Sequence, residues 1–592
     1  GQRSWTNLTL AASLVVLTFL VYLPAMGGGF VWDDDSMLTD NIVLKERGLY
    51  RSWFTTEQPN YWPLTWTSYW LEYQLWGFNP IGYHVGNVLL HAASALLVWR
   101  ILVQLNIPGA WVAAAVFAVH PVNVESVAWI TQRKNTLSLF FFLLSLLCYL
   151  RFDYRGIAGL YWTAIASFVL AMLSKGTVVA LPVVLLMCAW WLRGTIGRPD
   201  VLRSIPFFAV SAVMSVVEIW FQYVRAIGEE VVRNDAFFGR LAGAGWVVWF
   251  YLYKALLPID LSFIYPRWRI DPTNWLSYIP DLALLAVLGL CWRFRRSWGR
   301  APLFALGYFV VTLTPVLGFF DFYFMKYSFV ADHYQYVSII GIIALVVSAG
   351  RAVLKRVGRS YERFAYLGSA VVLVALGLLT WRQGQIYKDH ETLWRETLRR
   401  NPNASLAHNN LGFILALQGK TDEGISHYRQ AIKLEPDHDK AHSNLASALV
   451  SQGRLEEAVK HYRQALRINP RHAGVHNNLG IVLVSQGNLD EAISHLRQAV
   501  KLKPDHARAH YNLGGVLAEQ GQLDTAIDHF RHALRIDADR AHVHESLGRA
   551  LARLGKSDEA IIHYNEALRI MKSGKDEESE RGSPNADAGK VK

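Results

Sequence analysis

Apolar runs close to the length of a bilayer-crossing helix recur through residues 1–384 of the 592-residue chain. A bilayer core takes about 20 apolar residues per helix, and only helices or closed barrels satisfy their backbone polar groups within it. The runs near 8–26, 82–105, 108–120, 134–152, 157–174, 177–193, 204–222, 277–292, 301–320, 335–352 and 364–382 therefore predict an all-α, polytopic membrane helix bundle of about 11 spans. A further run at 243–258 is short, carries Lys254, and is read as not crossing. The first run lacks a small-residue cleavage site and reads as a retained helix, although the chain begins at Gly1, as a processed terminus would.

Charge orients the bundle. Residues 1–384 hold 30 of the 59 Lys and Arg against 20 of the 47 Asp and Glu. The excess sits in clusters at Arg151 and Arg155, Arg193 to Arg203, Arg293 to Arg300, and Arg351 to Arg363. Basic loops of this kind face the cytoplasm. With eleven crossings and the N-terminus inside, the loops at 27–80, 120–133, 174–176, 223–275 and 321–334 lie outside, as does everything after 383. The same distribution excludes a single soluble globule, a disordered chain and a nucleic-acid surface, since no aromatic-basic signature accompanies the charge. Cys148, Cys188 and Cys291 all lie in apolar runs and form no disulfide framework.

From Pro402 the sequence repeats every 34 residues. Pro402, Pro436, Pro470 and Pro504 are in register, Gly419, Gly453, Gly487, Gly521 and Gly555 recur, and so do Ala431, Ala465, Ala499, Ala533 and Ala567. This period, with small residues where two helices touch, resembles the tetratricopeptide repeat. It implies an α-solenoid over 385–572, with five repeats and a leading half-repeat at 385–400, following a membrane domain at 1–384; a disordered tail at 573–592 completes the chain. Two ladders run along the array. His408, His442, His476, His510 and His544 are matched by His427, His461, His495, His529 and His563, which reads as copying of one ancestral unit. Asn410, Asn444, Asn478 and Asn512 offer donor and acceptor groups to an extended peptide backbone and are the candidate acceptor-binding residues. The N-L-G/A motif around them is similar to that of the nucleocytoplasmic O-GlcNAc transferase solenoid.

The candidate chemistry lies in the outer loops. Asp33, Asp34 and Asp35 follow an apolar span directly, where adjacent carboxylates lose hydration and repel one another. Such a group suits a general base or a divalent-metal ligand. Glu125 leads into Arg133 and Lys134, Lys175 sits in S-K-G, and Asp332 and His333 precede another span. The expected topology puts these cations on the face that carries the triple Asp. Cations in a water-poor site suit a phosphate, and a lipid phosphate could reach them there.

These segments, W-D-D-D, H-P-V-N-V-E-S-V-A-W-I-x-x-R-K-N-x-L, S-K-G-T-V-V-A-L-P and A-D-H-Y-Q-Y, followed by the repeats, resemble the transmembrane and tetratricopeptide-repeat-containing O-mannosyltransferase family and its bacterial relatives. The resemblance implies the C-type (GT-C) glycosyltransferase fold and an inverting transfer of sugar from a polyprenyl-phosphate donor to Ser or Thr hydroxyls of an acceptor protein held by the repeats. It carries the family's paired acidic residues over to Asp33 and Asp34 and the cation before the aromatic pair to His333. On the chemistry of the residues, Asp34 is the expected catalytic base with Asp33 assisting. Arg133, Lys134, Lys175 and His333 would bind the donor phosphate, and Asp35, Glu125 and Asp332 would support them. The chain departs from the family pattern at His333, where Arg is usual, and at Gly176, where Glu or Gln follows S-K. This reading names no certain cofactor and leaves open a divalent cation, Mg or Mn, at Asp33 and Asp34. The alternatives are a non-enzymatic membrane-anchored repeat scaffold, transfer to a glycan or lipid acceptor, or a transporter. The expected location is a bacterial inner membrane, or the endoplasmic reticulum membrane in a eukaryote, with the repeats on the periplasmic or lumenal side.

Overall fold

Helices form wherever the apolar periodicity called for them, and no strand occurs among the described residues. The computed structural model describes residues 2–41, 48–228, 232–357 and 362–573. Of the expected disordered tail at 573–592, Ser573 ends the last helix and 574–592 lie outside the described residues. Contacts divide the chain into two units, Gly1–Pro402 and Asn403–Lys592.

In the first unit we number the principal helices α1 (Gln2–Met26), α2 (Pro63–Trp76), α3 (Pro80–Gln104), α4 (Ala110–Ala118), α5 (Arg133–Arg155), α6 (Ala158–Ser174), α7 (Leu181–Arg193), α8 (Arg198–Phe221), α9 (Phe237–Leu256), α10 (Ile279–Arg293), α11 (Arg300–Leu313), α12 (Ile339–Val357), α13 (Glu362–Gly384) and α14 (His390–Arg400). Among the described residues seven helices are long and apolar enough to cross a membrane, or eight if one bent pair is a single span. The chain is thus a multi-pass membrane protein. The expected run at 108–120 is the one that bends: Ala110–Ala118 and Pro121–Ala128 meet at 49°. Pro121 disfavours helical backbone at the residue before it, and His120 is extended there, at φ −77° and ψ 125°. The runs at 157–174 and 301–320 form helices shorter than the seven. Residues 237–256, of which 243–258 was read as not crossing, form a continuous 20-residue helix, long enough for about 30 Å.

Among the described residues, Arg151, Arg155, Arg193, Arg203, Arg293 and Arg300 lie at or near helix ends, those on α5 at the end opposite Lys134. Arg193 bridges Asp153 and Asp200, and Arg203 also reaches Asp153, 3.3 Å away. This network closes the ends of α5 and α7 over the start of α8.

The second unit is five helix pairs: Ser405–Leu417 with Thr421–Leu434, Asp439–Ser451 with Leu455–Ile468, Ala473–Ser485 with Leu489–Leu502, Ala507–Glu519 with Leu523–Ile536, and Ala541–Arg553 with Ser557–Ser573. The recurring glycine ends the first helix of each pair at φ between +74° and +83°, a conformation that favours glycine. Small residues let the pair close: a Cβ on Gly412 would stand 2.9 Å from Tyr428, and one on Gly514 2.8 Å from Phe530. Helix α14 has the length of half a repeat, as expected of 385–400, yet it packs within the first unit, where Trp394 meets Trp32 and Phe263.

Candidate active site

Trp32 fixes the loop that follows α1. It has φ +50°, which costs a residue with a Cβ roughly 1–3 kcal/mol and persists only where the surroundings over-determine it. Here the indole stacks on Trp129, with centroids 5.3 Å apart, and meets Phe263, Phe324, Tyr327 and Trp394 edge-on. Its backbone N–H donates to His390 Nδ1 at 3.3 Å, while His390 Nε2 lies 3.2 Å from Asp35 Oδ2. The first residue of α14 therefore clasps the loop on both sides of Asp33 and Asp34.

The two central carboxylates are held differently. Asp34 is fully buried, and both its oxygens are taken by backbone: Oδ2 accepts from Val31 N at 2.9 Å and Oδ1 from Thr131 N at 2.8 Å. Asp33 is only partly buried, and its Oδ1 accepts from the Thr131 hydroxyl at 2.7 Å. Burial raises the pKa of both, and the charge of Asp33 adds to the rise at Asp34, so the pair holds a proton above the usual carboxylate range. Asp35 lies on the rim and is half exposed.

Lys134 projects from the start of α5 toward this pair. Its ammonium lies over the rings of Trp62 (4.9 Å) and Trp129 (5.7 Å) and within electrostatic reach of Asp33, Asp34, Glu125 and Glu218. Lys175, in the one-residue break after α6, donates to Asn135 Oδ1 at 2.6 Å. Burial and the nearby charge of Lys134 push its pKa down to about 7. Glu218, which the sequence did not single out, enters from α8 and accepts from Trp62 Nε1 at 3.2 Å. It occupies the space a side chain at 176 would need, since a Cβ on Gly176 would stand 3.0 Å from Glu218 Cγ.

Of the other expected members Arg133 stands apart, whereas Glu125, Asp332 and His333 lie beside the lysines. Arg133 is 3% exposed, but it faces the other way: Nη1 pairs with Glu72 at 2.9 Å, Nε donates to Asn87 and Nη2 to the Tyr83 carbonyl. It ties α2 and α3 to α5 through these partners. His333 is buried, with its N–H donating to Glu125 Oε2 at 2.9 Å and Nδ1 lying 2.9 Å from Glu125 Oε1. Burial and the charges of Lys175 and Lys134 keep it neutral, so it is no resting cation. Asp332 accepts from Tyr265 at 2.9 Å, and burial with the nearby Glu125 raises its pKa well above the usual range. Among the described residues no three His, Cys, Asp or Glu side chains converge as a metal site.

Beside Lys175 an apolar groove of about 440 Å³ opens between α7, α8 and α11. Glu218, Thr177 and Asp321 are among its few polar lining residues, and its walls are residues such as Val183, Phe208 and Val311.

In the second unit the asparagines bond across repeats. Asn444 Nδ2 donates to Asn409 Oδ1 at 3.0 Å and Asn512 Nδ2 to Asn477 Oδ1 at 2.8 Å, while Asn410 and Asn478 accept from those neighbours. The buried Asn410 Nδ2 and Asn444 Oδ1 have no hydrogen-bond partner among the described residues. The histidine ladder is five pairs with Nδ1 atoms 2.9–3.0 Å apart.

The tetratricopeptide repeat family matches residues 403–471, 439–505, 477–541 and 541–571. Protein O-mannosyl-transferase F38B6.6 of Caenorhabditis elegans is 23% identical over 440 residues, 70% of this chain and 61% of its own length. Protein O-mannosyl-transferase tmtc2 of Xenopus laevis is 34% identical over 148 residues, 23% of this chain and 18% of its own. The chain thus spans about three-fifths of the first of these relatives and a smaller part of the second. Among solved structures, MamA matches over 28% of this chain and 95% of its own, at 23% identity and a TM-score of 0.26.

Proposed function

For a chain that is a tetratricopeptide-repeat-containing relative of the protein O-mannosyl-transferases, we propose an integral-membrane inverting glycosyltransferase. It moves mannose from a polyprenyl phosphate to Ser or Thr hydroxyls of an acceptor protein. The observation that carries this reading is a part-exposed carboxylate, Asp33, within electrostatic reach of the buried Lys134, which in turn faces a second buried lysine, Lys175, beside an apolar groove.

A Ser or Thr hydroxyl needs a base to attack. Asp33 fits that role better than Asp34, because both oxygens of Asp34 are occupied by backbone donors. Asp34 is the positioning residue: it locks residues 31–34 against the 129–131 segment. As Asp33 takes the hydroxyl proton, the oxygen attacks the anomeric carbon from the face opposite the phosphate. The carbon–oxygen bond to phosphate breaks in the same step, and the configuration inverts. Lys134 and Lys175 stabilise the charge gathering on the departing lipid phosphate, and preorganised cations in a buried site lower that barrier most. Glu218 balances the two lysines before the donor arrives. The groove from Gly176 to Phe322 suits the polyprenyl tail. The repeats supply affinity for the polypeptide and raise its effective concentration, and the unpartnered atoms on Asn410 and Asn444 suit an extended peptide backbone. Catalytic loops and repeats belong on the periplasmic or lumenal side, because the arginine clusters lie at the opposite helix ends; a bacterial inner membrane is the location we assign.

The test is release of free polyprenyl phosphate from mannosyl polyprenyl phosphate, with and without an acceptor peptide. Acceptor-dependent release that disappears in the Lys134→Gln variant supports the transferase. Peptide binding with no release at any donor concentration refutes it in favour of a scaffold.

A further inference from the structure

The bundle holds a second large cavity, which the proposed reaction leaves unused. It is a cleft of about 400 Å³ between α3, α5, α7, α11 and α12, inside the range of roughly 300–1,000 Å³ usual for small-molecule sites. It does not share a face of α7 with the groove beside Lys175, since Val184 and Cys188 line the cleft while Val183 lines the groove. The interior is almost wholly hydrocarbon, with Leu102, Leu143, Phe304 and Ile340 among its walls. Nothing there would hold a sugar, a peptide or a nucleotide.

The mouth differs from the interior. It opens at the helix ends remote from Asp33, among Pro108, Trp191, Trp298 and Ala352. Trp298 is more than half exposed, and a half-exposed indole beside an apolar opening is the arrangement found at membrane interfaces. Arginines flank it. Arg300 Nη2 donates to the Trp191 carbonyl on one side, and the stem of Arg351 packs over Gly109 on the other, where a Cβ would stand 3.2 Å from its Cγ. Arg293, Arg295 and Arg296 follow on the adjoining loop. A slot that is apolar inside, aromatic at the lip and cationic around it is complementary to an anionic amphiphile with a long hydrocarbon chain.

We propose that this cleft holds an acyl chain of an anionic phospholipid from the leaflet the arginine clusters face, with its headgroup between Arg300 and Arg351. The occupant is distinct from the glycosyl donor, whose phosphate must lie at the far end of the bundle near Lys134 and Lys175. Filled, the cleft would brace α11 and α12 against α7.

The full-length chain, purified in detergent, is exchanged into mixed phosphatidylglycerol and phosphatidylcholine of matched chains, and retained lipid is counted by native mass spectrometry. Wild-type protein should keep phosphatidylglycerol in preference. Arg300→Gln and Arg351→Gln should each lower that retention about five-fold without changing phosphatidylcholine, the loss expected for one basic residue at an anionic membrane surface. Ala344→Trp, which fills the cleft, should expel both lipids; Ala344→Leu is the milder fill if the tryptophan variant does not fold. Equal retention of the two lipids, indifference to both arginines, or preferential capture of added polyprenyl phosphate would overturn the proposal.

Discussion

Asparagine substitutions at Asp33 and Asp34 separate the two roles assigned to the acidic pair. In Asp33→Asn the amide oxygen can still accept from the Thr131 hydroxyl, so the loop keeps its main restraint while the proton acceptor is lost. Removal of a general base costs about 10²–10⁴-fold in rate. Turnover of mannosyl polyprenyl phosphate should fall by that factor, with the melting temperature little changed. Asp34→Asn acts on the other axis. An asparagine there can accept from Val31 N or from Thr131 N, but it turns its NH₂ toward the remaining one. Leaving one buried N–H unsatisfied costs about 1–3 kcal/mol. This variant should melt earlier and lose activity through a displaced loop, with a weaker effect on chemistry once folded protein is counted. Both quantities come from one preparation, by acceptor-peptide transfer and by differential scanning fluorimetry. Full activity in Asp33→Asn, or an inactive Asp34→Asn of unchanged melting temperature, would return the base to Asp34.

Three further outcomes follow from the geometry. Lys175 loses its charge as pH rises through about 7 in the unliganded protein, so KM for the donor should climb above that pH, and Lys175→Gln should flatten the profile. Arg133→Gln should leave Glu72 buried without its partner, lowering stability by about 3–5 kcal/mol with little effect on turnover per folded molecule; a normal melting temperature would refute its structural assignment. The paired histidines His442, His461, His476 and His495 have pKa values held below the usual one, chiefly by burial. The unfolded chain therefore binds more protons than the folded one as pH falls through that window, and stability must fall with it. Circular dichroism melts should show the repeats unfolding earlier at pH 5 than at pH 7.5, and a melt unchanged or raised at pH 5 would count against neutral pairs.

The solenoid was legible because its period is written in residue types that only one geometry needs: glycine at φ near +80°, and alanine or glycine where helices touch. The long spans were legible for the same reason, in apolar length. What periodicity could not convey is direction around a helix axis. Arg133 and Lys134 are neighbours, yet one points to Glu72 on α2 and the other lies within reach of the acidic pair, a divergence that a reading of them as one basic motif cannot convey. Adjacent Asp33 and Asp34 diverge likewise, since a carboxylate's availability depends on which backbone N–H groups reach it. Glu218 was invisible because its significance is spatial. It is a lone carboxylate in a long apolar run, and only the fold shows that it fills the room left by Gly176. The bend at 108–120 was not legible from apolar composition alone; it comes where Pro121 turns the chain.

The clasp of His390 on Trp32 joins residues 358 positions apart. Arg400 further anchors the same helix to the Leu261 carbonyl, and Asn401 anchors it to that of Ile264. A membrane portion cut at residue 384 would thus carry its acidic loop without the helix that holds it, whereas one cut after Pro402 would keep the loop whole. Evolutionary exchange of one repeat array for another, to present new acceptors to an unchanged reaction centre, has its natural seam at that later point, and α14 travels with the chemistry and not with the cargo reader.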